Sequence, residues 1–270
     1  MGLDIENSIK YPTRDSDLIK KLLIGGFFCL GIVLVDFFNT LTDLIGDEKF
    51  GQLKQYVTQT NAMSVAIIIV LFFLALVLLN IFILGYDASN TNLRIFKPSS
   101  NLLNWENFGK LFKVGIKSAI GLGSYLVIMG VILGLAFFPA LLIIINYKAN
   151  TLVLVLLGLA MFACTIIVIA MWVVYVIAAE LAFFTDLKLK SFFNFSLINK
   201  FIIKNFFQFF IFIILTFAVN TLISILNMIL MLTVVGIVII PVLRFYSLLM
   251  INDLSAQFIR QTLEMNEENN

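Results

Sequence analysis

Long apolar stretches, separated by short polar ones, run along almost the whole chain. A helix needs roughly 20 apolar residues, at about 1.5 Å each, to cross about 30 Å of hydrocarbon. Stretches of this length lie near 20–43, 62–86, 116–145, 151–184, 204–229 and 233–252. The pattern predicts about six transmembrane helices, paired as three hairpins.

The boundary between the last two helices has the weakest signal. Residues 206–251 are almost continuously apolar, and only Asn227, Thr233 and Gly236 are typical of a turn there. The prediction of a hairpin at this point therefore depends mainly on the length of the apolar stretch.

Composition places the chain in the same class of protein. Of its 270 residues, 61% are hydrophobic and 13% are charged, whereas a soluble domain carries about 25% charged residues. We predict an all-α integral membrane protein with a single polytopic domain over 1–263 and a disordered polar tail over 264–270.

Lysine and arginine are divided unevenly between the two sides of the predicted bundle. Fourteen fall on the side that holds the N-terminus, and Lys49, Lys54 and Lys148 fall on the other. By the positive-inside rule both termini are predicted to be cytoplasmic. We expect the plasma membrane as the location.

Polar and basic segments precede the first, third and fifth predicted helices. In the second of these segments one helical face is apolar and the opposite face is charged, which predicts an interfacial amphipathic helix. The apolar face comprises Trp105, Phe108, Phe112 and Ile116, and the charged face comprises Glu106, Lys110, Lys113 and Lys117. The third segment, 190–205, has poorer periodicity. Together they predict three repeats of a surface helix followed by a hairpin.

Several basic residues are candidate contacts for anionic lipid headgroups, since each lysine or arginine near such a surface contributes about 1 kcal/mol. The candidates are Lys110, Lys113, Lys117, Lys200, Lys204 and Arg244. The alternative is that these residues only set the topology. For Arg244, a headgroup contact and an intramolecular partner are both open, and Glu180 is the nearest carboxylate by depth.

The fifth predicted helix carries one polar stripe on an otherwise apolar surface. Thr216, Asn220, Ser224 and Asn227 follow i, i+4, i+8, i+11, and with Glu180 they form a candidate intramembrane polar cluster. Such a stripe faces other helices. Interhelical hydrogen bonding in a dry interface is the more common explanation, and a solute path is the alternative.

Small residues in the third predicted helix permit close helix packing. Gly130 and Gly134 form a GxxxG motif, and Ala119 with Gly123 extends it towards the helix start. The motif does not distinguish packing within one chain from packing between two copies.

Catalytic motifs are absent. The chain has no histidine, so neither a HExxH zinc site nor a Ser-His pair can form, and it lacks GxSxG, phosphate-loop and GxGxxG motifs. We expect no enzymatic activity, no metal, no cofactor and no nucleic-acid partner.

Several motifs in the first half of the chain together resemble an archaeal membrane family that is catalogued as domain of unknown function number four thousand and thirteen. They are Tyr11-Pro12, Asp15, Asp17, Lys20, Lys21, Gly25-Gly26, Gly85-Tyr86, Trp105, Phe108, Leu111-Phe112 and Gly115. The match covers about residues 8–135. Members usually have an Arg soon after the Gly-Tyr pair and a Leu-Pro before the Trp, whereas Arg94 and Pro98 stand elsewhere here.

The layout is also distantly similar to the membrane domain of some glycerophosphodiester phosphodiesterases. The resemblance implies an archaeal plasma-membrane protein with a helical bundle, and it implies no catalytic residue.

Two functions follow as hypotheses. The first is a non-enzymatic protein that organises the membrane or binds lipids or a partner, either a second copy of the chain or another membrane protein. The alternative is a small-solute transporter or channel that uses the polar stripe.

Overall fold

The computed structural model describes residues 2–31, 33, 62–146, 151–231, 233 and 236–267, and these residues form helices and turns without a strand. The α-helices are α1 (Ile5–Lys10), α2 (18–31), α3 (Ala62–Phe96), α4 (Phe108–Asn146), α5 (Thr151–Asp186), α6 (Phe195–Asn199), α7 (Phe206–Met231) and α8 (Gly236–Glu267). Two 3₁₀ helices lie at Pro12–Arg14 and Leu189–Phe193, and a π-helical turn spans Lys200–Lys204.

The prediction of an all-α membrane protein is confirmed. In the described part of the chain, α3, α4, α5, α7 and α8 are long and apolar enough to span a membrane. The first predicted span, 20–43, coincides with α2 as far as residue 31, and 34–43 lie outside the described residues.

The hairpin between the last two helices is also confirmed. α7 ends at Met231, α8 begins at Gly236, and the Thr233 hydroxyl accepts a hydrogen bond of 3.1 Å from the Gly236 N–H. The side chain of Thr233 thus satisfies one of the N–H groups that a helix start leaves unpaired. α8 extends to Glu267 instead of ending near 252.

One end of the bundle holds most of the described polar groups, and we call it the basic end. Here α1, the start of α4 and the ends of α3, α5 and α8 meet. The N-terminal segment lies against the end of α8, because the Asp4 N–H donates to Gln257 Oε1 at 2.8 Å. The described start of the chain and the later part of α8 therefore lie at the same end of the bundle.

α3 and α4 approach each other closely through two glycines. A Cβ atom on Gly85 would lie 1.9 Å from the Leu111 carbonyl oxygen, and one on Gly115 would lie 1.9 Å from the Ile81 carbonyl oxygen. Only glycine permits this backbone contact. In contrast, Cβ atoms at Gly123, Gly130 and Gly134 would meet nothing within 4 Å, so the GxxxG motif does not pack helices within the described part of the chain.

Two of the three predicted surface helices are not separate, regular helices in the structure. Residues 108–117 are the first turns of the membrane helix α4, and Trp105 precedes that helix, buried against the rings of Tyr86 and Phe28. The segment 189–204 is broken into a 3₁₀ helix, α6 and a π-helical turn. Burial of Trp105, Phe192 and Phe201 accounts for both differences, because it anchors these segments to the bundle.

Candidate functional site

A cavity of about 290 Å³ lies between α3, α5, α7 and α8, and we call it the acidic cavity. Its polar lining residues are Asp87, Glu180, Thr216, Asn220, Asn252 and Ser255. The remaining lining residues are apolar. The cavity therefore combines a small polar region containing two carboxyl groups with a large apolar wall.

The two carboxyl groups come from different helices and line the same cavity. Asp87 lies on α3 and Glu180 on α5. Neither belongs to an ion pair among the described residues. The Asn252 amide, turned with its nitrogen towards its acceptors, donates to Asp87 Oδ1 and also to the Leu248 carbonyl, the latter at 2.9 Å.

The polar groups lie within the long helices rather than at their last residues. At about 1.5 Å per residue, Asp87 is roughly 13 Å before the end of α3 and Glu180 is roughly 9 Å before the end of α5. Thr216 and Asn220 are about 15 and 21 Å from the start of α7. The cavity thus extends from the basic end towards the middle of the bundle.

The apolar wall of the cavity reaches the outer surface of the bundle. α5 and α7 scarcely touch each other, and the wall includes Val173 on α5 and Phe217 on α7, which are 39% and 72% exposed. In a membrane the exposed faces of these two helices contact lipid tails. The acidic cavity therefore opens sideways towards the hydrocarbon.

The structure brings only part of the predicted polar cluster together. Thr216, Asn220 and Glu180 line the acidic cavity, whereas Ser224 is exposed and Asn227 is buried outside it. Asn220 donates to the Thr216 carbonyl of its own helix at 3.1 Å. Within the described part of the chain, the Thr216 hydroxyl and Asn227 Oδ1 have no hydrogen-bond partner. Among the described residues these positions show no interhelical hydrogen bond, and the dry interface stays a prediction.

Arg244 and Glu180 do not form the ion pair that was one of the two open interpretations. Glu180 lies in the acidic cavity, which Arg244 does not line. On α8, Arg244 lies eight residues before Asn252, roughly 12 Å along the axis, so the helix places it too far towards the opposite end.

The predicted lipid-contacting lysines lie on two elements at the basic end. Lys110, Lys113 and Lys117 are exposed on the first turns of α4, and Lys117 Nζ donates to the Leu187 carbonyl at 3.3 Å. Lys200 is half-buried and Lys204 is exposed in the π-helical turn.

A buried ionic network next to the acidic cavity fixes the helices that form it. Arg94 Nε donates to Asp253 Oδ1 at 2.9 Å, and both side chains are inaccessible to solvent. Asp253 Oδ2 accepts from the Ser8 hydroxyl and from Gln257 Nε2, each at 2.8 Å. Since Asn252 and Asp253 are adjacent, this network also fixes the position of Asn252 in the cavity.

The N-terminal segment covers this network. The Tyr11 ring stacks on the Arg94 guanidinium at 4.0 Å, and the Tyr11 hydroxyl donates to Asn90 Oδ1 at 3.2 Å. Burial raises the pKa of Tyr11 to about 12, although the positive charge of Arg94 opposes that rise. The phenol therefore remains neutral in the folded protein.

A second buried pair holds the same segment in place. Lys21 Nζ donates to Asp15 Oδ2 and to the Leu102 carbonyl, each at 2.8 Å, and the Leu102 N–H donates back to Asp15 Oδ2 at 2.8 Å. Burial alone would raise the pKa of Asp15, but the hydrogen bonds and the charge of Lys21 lower it below its ordinary value. This clamp fastens the loop before α4 to the start of α2.

Sequence reasoning missed Asp87, Asn252 and Ser255 as site residues. The pairing of Asp87 with Glu180 depends on where α3 and α5 end, and hydropathy did not give the end of α3. No signal for Asn252 or Ser255 was available, since they stand among many polar residues in the last part of the chain.

No protein-family model, curated protein or solved structure matches this chain. The class of protein that the fold defines is a helical membrane protein with an acidic, laterally open cavity. The acidic cavity is the feature of the described residues that bears on its function.

Proposed function

We propose that this protein binds, within the membrane, a molecule with a cationic head and an apolar body. The observation that carries the proposal is that Asp87 and Glu180 share one cavity without a cationic partner among the described residues. This proposal is related to the alternative hypothesis of a small-solute transporter or channel. Of the four residues in the polar stripe, only Thr216 and Asn220 line the cavity.

Electrostatics favours a cationic ligand. An ionised carboxylate at membrane depth costs a few kcal/mol unless it is paired, and two carboxylates in one cavity raise that cost through mutual repulsion. An ammonium group removes the repulsion and supplies donors, whereas carboxylates and the Thr216 hydroxyl supply acceptors. An anionic head would be repelled by both carboxylates and would find few hydrogen-bond donors in the cavity.

The shape of the cavity favours an amphiphile. Most of its wall is apolar, and its open side lies between α5 and α7, facing the hydrocarbon. A ligand that enters from the lipid phase keeps its apolar part in contact with Val173, Phe217 and neighbouring side chains. A volume of about 290 Å³ suits a small molecule or one end of a longer one.

Binding of octylamine, with 1-octanol as the uncharged analogue, tests this proposal. Native mass spectrometry of the detergent-purified protein is expected to retain octylamine, with octanol retained at least about tenfold more weakly. Asp87→Asn and Glu180→Gln are each expected to weaken octylamine binding about tenfold. Glu106→Gln is the control, since Glu106 is an exposed carboxylate outside the cavity. Equal retention of amine and alcohol, or unchanged binding by both cavity variants, would contradict the proposal.

Association with anionic lipids is a second candidate function. Three exposed lysines, Lys110, Lys113 and Lys117, lie on the first turns of α4 at the basic end, where each would contribute about 1 kcal/mol of attraction. Replacing all three with Gln is expected to reduce retention of phosphatidylglycerol in native mass spectrometry while leaving the fold intact. Unchanged lipid retention would remove this candidate.

We also propose a location and a family for this protein. The excess of basic residues on one side supports cytoplasmic termini and a plasma-membrane location. Tyr86, Trp105, Leu111 and Tyr11, four residues of the archaeal resemblance, pack in one core cluster, as a family-defining core would. Membrane lipids and a second copy of the chain are the partners we propose.

A further inference from the structure

A second cavity, of about 370 Å³, lies at the basic end between the end of α3, the loop that follows it and the start of α4. We call it the surface cavity. Ser89 and Asn92 line it from α3. Ser89 is two residues from Asp87, and since successive residues of a helix are about 100° apart, the two cavities lie on opposite faces of α3.

One buried hydroxyl group of a residue that lines the surface cavity has no hydrogen-bond partner among the described residues. Ser89 is 7% exposed, and its Oγ is buried without a hydrogen-bond partner in the described part of the chain. A serine inside a helix commonly donates to the carbonyl one turn earlier, and Ser89 does not. A buried hydroxyl without a partner is costly, so a bound group that accepts its hydrogen bond would remove that cost.

One basic and one acidic side chain, Lys110 and Glu106, line the same cavity. Lys110 lines it and belongs to no ion pair among the described residues. Asn107, which directly precedes α4, lines it as well. Within the described part of the chain, the N–H groups of Phe108 and Gly109 at that helix start have no hydrogen-bond partner, although these two residues do not themselves line the cavity. The first turn of a helix carries a partial positive charge and unpaired donors, which together favour an anion.

The remaining lining side chains suit a polar anion. The side-chain amides of Asn104 and Asn107 can donate hydrogen bonds into the cavity. The carboxylate of Glu106 is exposed at the rim, where it accepts from Asn104 Nδ2 at 3.4 Å. A hydroxyl or amine attached to the anion could donate to that carboxylate.

We infer that the surface cavity binds a phosphate group, carried by a lipid headgroup or by a free ion, through Lys110, the start of α4 and Ser89. The inference goes beyond the cationic ligand of the acidic cavity. It also differs from diffuse lipid association, because of the three lysines on these turns only Lys110 lines the cavity. Lys113 is the matched control, since it is exposed on the next turn of the same helix.

The test compares four variants of the full chain in detergent. Inorganic phosphate is the free probe, measured by isothermal titration calorimetry, and phosphatidylglycerol is the lipid probe, measured by native mass spectrometry. Lys110→Gln is expected to weaken binding about tenfold, Lys110→Arg to preserve it, and Lys113→Gln to change it less than about twofold. Ser89→Ala is expected to weaken binding about threefold without lowering the thermal stability of the ligand-free protein.

The two probes separate the source of the phosphate. Binding of inorganic phosphate that Lys110→Gln weakens supports a site sufficient for the free ion. If Lys110→Gln weakens binding of phosphatidylglycerol and inorganic phosphate does not bind, the site recognises a lipid headgroup. Absence of binding by both probes overturns the inference, and so does an equal loss in Lys110→Gln and Lys113→Gln. Neither result affects the acidic cavity, because the octylamine test uses other residues.

Discussion

Arg94 and Asp253, which are 159 positions apart in the chain, form an ion pair that is buried from solvent on both sides. The pair joins the end of α3 to the middle of α8, and Arg94 also stacks on Tyr11 from the N-terminal segment. Removing water from two charges is expensive, and the Ser8 and Gln257 hydrogen bonds to Asp253 offset part of that cost. The pair thus orients α3 and α8, the helices that carry Asp87 and Asn252.

Loss of one charge from this pair is expected to destabilise the protein. Asp253→Leu leaves Arg94 buried without its counter-charge, which typically costs about 3–5 kcal/mol. Thermal unfolding in detergent, followed by circular dichroism, measures the effect. The double variant Arg94→Met with Asp253→Leu should recover much of the loss. Lys188→Gln, which removes an exposed ion pair with Asp186, is the control and should cost less than about 1 kcal/mol. A single Asp253→Leu variant as stable as that control would contradict the structural role.

The close approach of α3 and α4 predicts a sharp difference between glycines. Gly85→Ala places a Cβ 1.9 Å from the Leu111 carbonyl oxygen, whereas Gly123→Ala meets nothing within 4 Å. Gly85→Ala is therefore expected to destabilise the bundle by at least about 3 kcal/mol through overpacking. Gly123→Ala is expected to be neutral or to stabilise α4 by about 1 kcal/mol, since alanine favours a helix. The same unfolding assay compares them, and equal melting temperatures would contradict this packing.

Acid is expected to release the clamp between Asp15 and Lys21. The pKa of Asp15 is lowered in the folded protein, so its contribution to stability is complete above the ordinary value of 3.8 and is lost as the pH falls below it. Asp15→Asn should be less stable than the unchanged protein at neutral pH. The difference between the two should shrink as the pH is lowered towards 3, as measured by urea unfolding. A difference that stays constant with pH would show that the charge of Asp15 contributes nothing.

Orientation in the membrane is open to cysteine labelling. In a background of Cys29→Ala and Cys164→Ala, the variants Lys54→Cys and Lys148→Cys are expected to react with an impermeant maleimide from outside the cell. Met265→Cys is expected to react only after the membrane is permeabilised. The physical reason is the basic excess on the side of the termini. Labelling of position 265 in intact cells would contradict an even number of membrane spans with both termini in the cytoplasm.

Hydropathy determined the class of protein and most helix positions. Spans of apolar residues must be helical in lipid, because no water is present there to bond the backbone. Hence 62–86, 151–184 and 204–229 correspond to α3, α5 and α7. Helix ends were less predictable. α3 runs on to Phe96 because Asn90, Thr91 and Arg94 are polar yet buried at the basic end, and hydropathy does not register polar residues that find partners inside the protein.

The candidate sites divide in the same way. Periodicity along a single helix placed Thr216 and Asn220 on one face, because that relationship is local and follows from 3.6 residues per turn. Only the tertiary structure decided that Glu180 faces Asp87, that Asn252 joins them, and that Ser224 is left outside. Lys110 likewise stands out from Lys113 only because the end of α3 lies beside it. Contacts such as Gly85 against Leu111 and Arg94 with Asp253 decide which helices are neighbours. These residues are far apart in the chain, so no periodic pattern in the sequence reveals that they meet.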